Sequence, residues 1–202
     1  MKNQKTFQIA CYALFLALLM LLTFTPVGYI PIGPIKATII HLPVIFMGLV
    51  FGIKGGVLAG LMFGCSSLLA NTLTPGVLSF CFSPFIQVGG IGGNWLSLII
   101  CFLPRIILGL SAGFIGKAVQ QKMKLSLSVV GCALVHSLLV LGLIYLLFKN
   151  SYAQALSMDN QAVAIALMTT FSTQSIIEAV LAGMFAYFIY PFMQTMQKKG
   201  KR

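Results

Sequence analysis

Apolar residues in this chain do not alternate with polar ones; they run. Six stretches, 7–27, 37–53, 57–70, 96–115, 125–148 and 162–192, are almost free of charge. A bilayer core about 30 Å thick takes ~20 helical residues per crossing. The pattern therefore predicts an all-α polytopic membrane protein, a bundle of six transmembrane helices, with 1–202 forming a single membrane domain. The breaks between runs differ in character. Residues 28–36 are rich in Pro and Gly, whereas 53–56, Ile-Lys-Gly-Gly, leave room only for a tight antiparallel helical hairpin. Residues 71–95 form a long connection that is apolar and aromatic yet broken by Pro and Gly. A loop of that length is either functional or disordered, and this one is too apolar for disorder. It is expected to fold back over one mouth of the bundle. The fifth connection, 149–160, is shorter and polar.

Composition sharpens the membrane reading. The chain is 59% hydrophobic and 7% charged, with a mean hydropathy of +1.01. A soluble domain carries roughly 25% charged residues. A soluble enzyme, a secreted disulfide scaffold and a nucleic-acid-binding domain are thereby excluded, although the net charge is +11. The distribution of that charge is the informative part. Lys2, Lys5, Lys54, Lys117, Lys122, Lys124, Lys198, Lys199, Lys201 and Arg202 all fall on one side of a six-span bundle. Lys36, Lys149 and Asp159 fall on the other. Lys and Arg are retained on the cytoplasmic face, so both termini are expected to be cytoplasmic, with the tail free to touch anionic lipid of the bilayer. Cys11, Cys65, Cys81, Cys101 and Cys132 never fall in a CxxC spacing and read as small hydrophobes, with neither disulfide nor metal. No cofactor is expected.

Ionisable groups at membrane depth are costly, so each one is a candidate for function. His41 lies about one turn into the second span, and Arg105 follows Pro104 in the fourth. His136 and Glu178 lie near the middle of the fifth and sixth spans. Gln174 and Glu178, four apart, share a face with Thr170. Arg105 and Glu178 have opposite signs. They form either a buried ion pair pinning two spans or a site in which Arg105 grips an anionic solute group with its planar fork; Arg105 shared between the two is a third reading. His136 reads as a neutral imidazole bonded to a neighbouring helix, with a solute contact as the alternative, while His41, nearer the mouth, fits either a structural or a solute-binding role. Asn71, Thr72, Thr74, Ser79, Ser83, Gln87 and Asn94 gather at the outer mouth with Phe80, Phe82, Phe85 and Trp95, an apolar setting with a few polar fixings. His41, Asn71, Ser83, Phe85, Asn94, Arg105 and Gln174 are the candidate solute ligands. Glycines at 48, 52, 56, 60 and 64, and at 109 and 113, recur every four residues and predict close helix packing. Ala10, Ala13 and Ala17 give the first span a small-residue edge suited equally to internal packing or to a partner's helix. There is no GxxxxGK[ST] phosphate loop and no HExxH, so energy for any transport must come from another chain.

Taken together, the runs Thr38-Ile-Ile-His-Leu-Pro-Val-Ile45, Phe51-Gly-Ile-Lys-Gly55, Asn71-Thr-Leu-Thr-Pro75, Ser79-Phe-Cys-Phe-Ser-Pro-Phe85 and Pro104-Arg-Ile-Ile-Leu-Gly109, with the AxxxA pattern of Ala13 and Ala17, resemble the substrate-binding S components of energy-coupling factor (ECF) vitamin transporters. Within that family the phrases are similar to the pantothenate-type members. The resemblance implies a vitamin bound near the outer face under loops one, three and five. It implies partnership with a transmembrane T component and two cytoplasmic ATPases, whose ATP hydrolysis topples the S component to release solute inside. It also assigns Ala13 and Ala17 to the contact with the T component. An S component for another water-soluble vitamin or precursor, and a stand-alone solute carrier, are the alternatives. A membrane enzyme built on Arg105, His136 and Glu178 would need those groups within hydrogen-bond reach of one another.

Overall fold

A computed structural model describes residues 2–32 and 35–200. Gly33, Pro34, Lys201 and Arg202 lie outside the described residues, as do the side chains of Lys2, Lys5, Lys36, Lys198 and Lys199. The chain runs through α1 (Lys2–Phe24), an antiparallel ribbon of β1 (Tyr29–Ile32) and β2 (Ile35–Thr38), and α2 (His41–Leu73). The connection that follows contains a short ribbon of β3 (Gln87–Val88) and β4 (Ile91–Gly92). Next come α3 (Leu96–Ala118), α4 (Lys122–Leu156), α5 (Asn160–Thr170), a π turn over Phe171–Ser175, and α6 (Ile176–Gly200). The all-α expectation holds for the body of the protein; the two ribbons are confined to the first and third connections. Among the described residues, four helical stretches are long and apolar enough to cross a membrane: His41–Leu73, Leu96–Ala118, Lys122–Leu156 and Asn160–Gln197. Ile9–Phe24 is a shorter apolar helix.

The 33 residues of α2 are not one rod. Gly52 has φ 74° and ψ −164°, a conformation open to glycine and strained for other residues. A Cβ built on Gly56 would lie 3.1 Å from the Cα of Gly48. Eight residues of uninterrupted helix would separate those positions by about 12 Å, so the chain doubles back at Gly52. The reversal expected over 53–56 is thus made by one residue, with helix on both sides. The glycine series explains how the two arms receive α3. Gly56 and Gly109 face each other so closely that a methyl on either would run into the other's carbonyl. Along the same seam Gly60 meets Arg105 and Gly64 meets Phe102, while Gly48 and Leu49 of the first arm meet Gly113 and Gly116. Close backbone approach of this kind is what small-residue stripes provide between membrane helices.

Packing divides into two clusters. The larger joins Leu19 of α1, Val44 and Leu49 of α2, Leu108 of α3, Val129 of α4, and Ala182 and Met193 of α6. The smaller sits at the end carrying the third connection, where Phe80 and Cys81 pack on Ile100, Phe148, Tyr152 and Val163. That second cluster also accounts for a boundary the sequence misplaces. The fifth run ends at 148 by hydropathy, yet α4 continues to Leu156, because Tyr152 and Ala153 are buried against the third connection. Ser157 then adopts φ 52° and ends the helix, and the Asp159 carboxylate caps α5 by accepting from Ala162 N at 2.6 Å. At the other boundary the second span begins at His41 rather than 37, since Ala37 and Thr38 are paired with Ile30 and Tyr29 in the ribbon.

Candidate functional site

The arms of α2, α3, α4 and α6 leave a cavity of about 320 Å³ beneath the first and third connections. Its wall takes Thr38 from β2, Ile40 just before α2, His41, Phe63, Ser67 and Asn71 from α2, Phe82 from the third connection and Arg105 from α3. Helix α4 contributes His136, Ser137, Val140 and Leu141, and the α5–α6 stretch contributes Thr170, Gln174, Ser175 and Glu178. The volume suits one small molecule, and the lining mixes aliphatic and aromatic surface with a few polar groups.

Helical spacing explains who reaches the wall. Phe63, Ser67 and Asn71 are four apart on one face of the second arm of α2, and Thr170, Gln174 and Glu178 are four apart on the α5–α6 stretch. The π turn at 171–175 adds a residue to that turn, and both Gln174 and Ser175 reach the lining. Such bulges recur at functional sites.

Arg105 is 7% exposed and is held from three directions. Its Nη1 donates to Ile100 O at 2.6 Å. Its guanidinium carbon lies 5.4 Å from the ring centre of Phe63 and 5.2 Å from that of Phe82. Its Nε is buried without a protein partner. No ion pair joins it to Glu178, so the pairing the opposite signs suggested is not made. Glu178 is instead bound on Oε1 by Thr38 N at 2.7 Å, Thr38 Oγ1 at 2.9 Å and Gln174 Nε2 at 3.0 Å. That oxygen is satisfied by neutral donors from the first connection and its own helix, while among the described residues no carboxylate pairs with the arginine. Two histidines complete the picture: Nε2 of His41 and Nε2 of His136 are also buried without a protein partner. The Phe63 ring, which the Arg105 guanidinium approaches, lies 6.5 Å ring to ring from His136. Three residues that line one cavity thus each hold a buried nitrogen with no protein partner. Buried polar groups are ordinarily paired, and each exception calls for an explanation.

Of the candidate ligands, His41, Asn71, Arg105 and Gln174 line the cavity, together with Glu178. Ser83, Phe85 and Asn94 do not. Ser83 is fully buried and bonds Thr72 Oγ1 at 2.8 Å and Phe85 N at 3.3 Å. Phe85 is 66% exposed, and Asn94 Oδ1 accepts from Leu96 N at 2.9 Å, shaping the turn into α3. These residues serve the third connection's own backbone. Asn71 does both: its Oδ1 accepts from Ser79 at 2.6 Å while its Nδ2 donates to Ser67 O at 2.8 Å, so it ties that connection to the cavity wall. The sequence reading missed Ser67, Ser137 and Ser175 as wall residues and assigned His136 to a helix contact. The spacing of Ser67 from Asn71, and of Thr170 from Gln174, was the available signal. Ala13 and Ala17 lie far from this wall in sequence and face outward from α1. Tyr12 and Phe15 face inward, their rings 5.6 Å from Phe51 and 4.8 Å from Phe46.

Residues 7–190 match the family described as "ECF transporter, substrate-specific component". The pantothenic acid transporter PanT of Lactococcus lactis subsp. cremoris (strain MG1363) is 30% identical over 195 residues, 95% of this chain and 95% of that protein.

Proposed function

Since the chain belongs to the family of ECF-transporter substrate-specific components, a multi-pass membrane transporter subunit and not an enzyme, we propose that its cavity binds pantothenate. The observation that carries this reading is that Arg105, His41 and His136, each with a buried and unpartnered nitrogen, line a single cavity together with Glu178, whose Oε1 is bound by neutral donors. A buried guanidinium with no counter-charge is costly, and a solute carboxylate supplies the missing charge with bidentate geometry. Pantothenate carries that carboxylate at one end and hydroxyls and an amide beyond it. The carboxylate faces Arg105, with His136 beside it. The hydroxyls and amide face Glu178, Gln174, His41 and Asn71, which offer both donors and acceptors. The name of the lactococcal relative points to the same solute.

In this reading the chain crosses the membrane six times. The two arms of α2 form a pair of crossings about Gly52, and both termini are cytoplasmic. The charge distribution supports it: Lys54, Lys117, Lys122 and Lys124 cluster at the Gly52 end. The chain works with a transmembrane T component and two cytoplasmic ATPases, a reading that the family match favours over a self-sufficient carrier. In vesicles, the chain alone is expected to take up no labelled pantothenate, with or without ATP. Reconstitution with the T component and ATPases is expected to give ATP-dependent uptake. Uptake by the chain alone would establish a stand-alone carrier instead.

A further inference from the structure

An interior proline removes the helical donor for the carbonyl four residues earlier. Here the proline is Pro104 and the carbonyl is that of Ile100, which Arg105 Nη1 takes at 2.6 Å. One residue therefore creates the acceptor that its neighbour uses. That bond, together with the nearby Phe63 and Phe82 rings, leaves the guanidinium little freedom and keeps Arg105 on the cavity wall. We propose that Pro104 is a positioning residue for solute recognition: by freeing the Ile100 carbonyl it fixes the Arg105 fork, and this sets the preference for a carboxylate over its neutral amide. The inference rests on the reading of Arg105 as the anion holder and goes one step beyond it.

A long flexible cation gives up rotamer freedom on gripping its ligand, whereas one already held by the protein gives up less. With Ala at position 104, the backbone N–H would reclaim the Ile100 carbonyl and Arg105 would lose its tether. Pro104→Ala should then weaken solute recognition while relieving the helix, because proline in a helix interior is unfavourable relative to alanine. A proline needed only for packing gives the opposite stability result.

The test is calorimetric titration of the detergent-purified chain with pantothenate and with pantothenamide, for the parent and Pro104→Ala, alongside thermal unfolding without ligand. The parent is expected to prefer the acid. In Pro104→Ala that preference should shrink about tenfold, with a thermal midpoint at or above the parent's. An unchanged preference overturns the proposal, as does an equal loss for acid and amide with a lowered midpoint. Should Pro104→Ala fail to fold, Pro104→Leu, which restores the same backbone N–H with a larger side chain, must reduce the same preference about tenfold, and no reduction overturns the proposal. A parent that binds acid and amide alike refutes the anion-site reading itself, a result separate from failure of the proline's role.

Discussion

Arg105→Ala is expected to lower pantothenate affinity by a factor of about 200 to 5,000 while leaving the unliganded protein as stable as the parent. The two halves of that result have one cause. With solute bound, the guanidinium and the carboxylate form a desolvated charged pair, and truncating one partner of such a pair costs about 3–5 kcal/mol, which is the stated range in affinity. Without solute, among the described residues Arg105 pairs with no carboxylate and makes one hydrogen bond, to Ile100 O, beside its contacts with the Phe63 and Phe82 rings. Removing it takes away a buried cation and one bond together, so the opposing contributions to stability largely offset. Had Arg105 been paired with Glu178, the same substitution would strand a buried carboxylate and destabilise the protein by a comparable ~3–5 kcal/mol. Calorimetry combined with thermal unfolding separates the cases. Full affinity in the variant would remove Arg105 from the site.

Ala17→Trp is expected to abolish ATP-driven uptake, by tenfold or more, without loss of solute binding. On α1 the inward face is large and aromatic, with Phe15 stacked on Phe46 4.8 Å away, and the outward face is small at Ala13 and Ala17. Exposed Ile9 and Leu21 continue that edge at either end and exposed Leu14 adjoins it, so the outward face is apolar throughout. Alanines four apart let a second helix approach closely, and an indole there holds the backbones apart. Position 17 is exposed and remote from the cavity wall, so the isolated chain should fold and bind as before. Co-purification with the T component is the direct readout. Uptake at the parent's rate would show that this edge faces lipid and that the partner docks elsewhere.

Hydropathy made the helical body legible because apolar runs of membrane length have few alternatives. Glycine spacing likewise anticipated the seam between α2 and α3, since only small residues allow such backbone approach. Local exceptions come from interactions no run displays. The extension of α4 through Tyr152 depends on a pocket that the third connection builds. The ribbon that delays α2 to His41 depends on pairing between β1 and β2.

The site was legible wherever a polar residue stood at membrane depth on a helix with a recognisable face: His41, Asn71, Arg105 and Gln174 all line the cavity. It was not legible in the third connection. A folded-back loop must satisfy its own backbone, and a serine or asparagine there serves that need as readily as it serves a solute. Ser83 and Asn94 do so. His136 shows the reverse case, a group with a bland helical explanation whose Nε2 proves to have no helical partner. Opposite charges at similar depth left a pair as one of three readings, yet Thr38 and Gln174 reach Glu178 where Arg105 does not. Distance in three dimensions, which two residue letters do not contain, decided that point.

The central claim is that this cavity binds pantothenate. Its most direct test is calorimetric titration of the purified chain in detergent with pantothenate, using thiamine, riboflavin and folate as controls. Tight, saturable binding of pantothenate alone, near one per chain, is the expected result. Heat from a control vitamin and none from pantothenate, in protein shown to be folded, would contradict it.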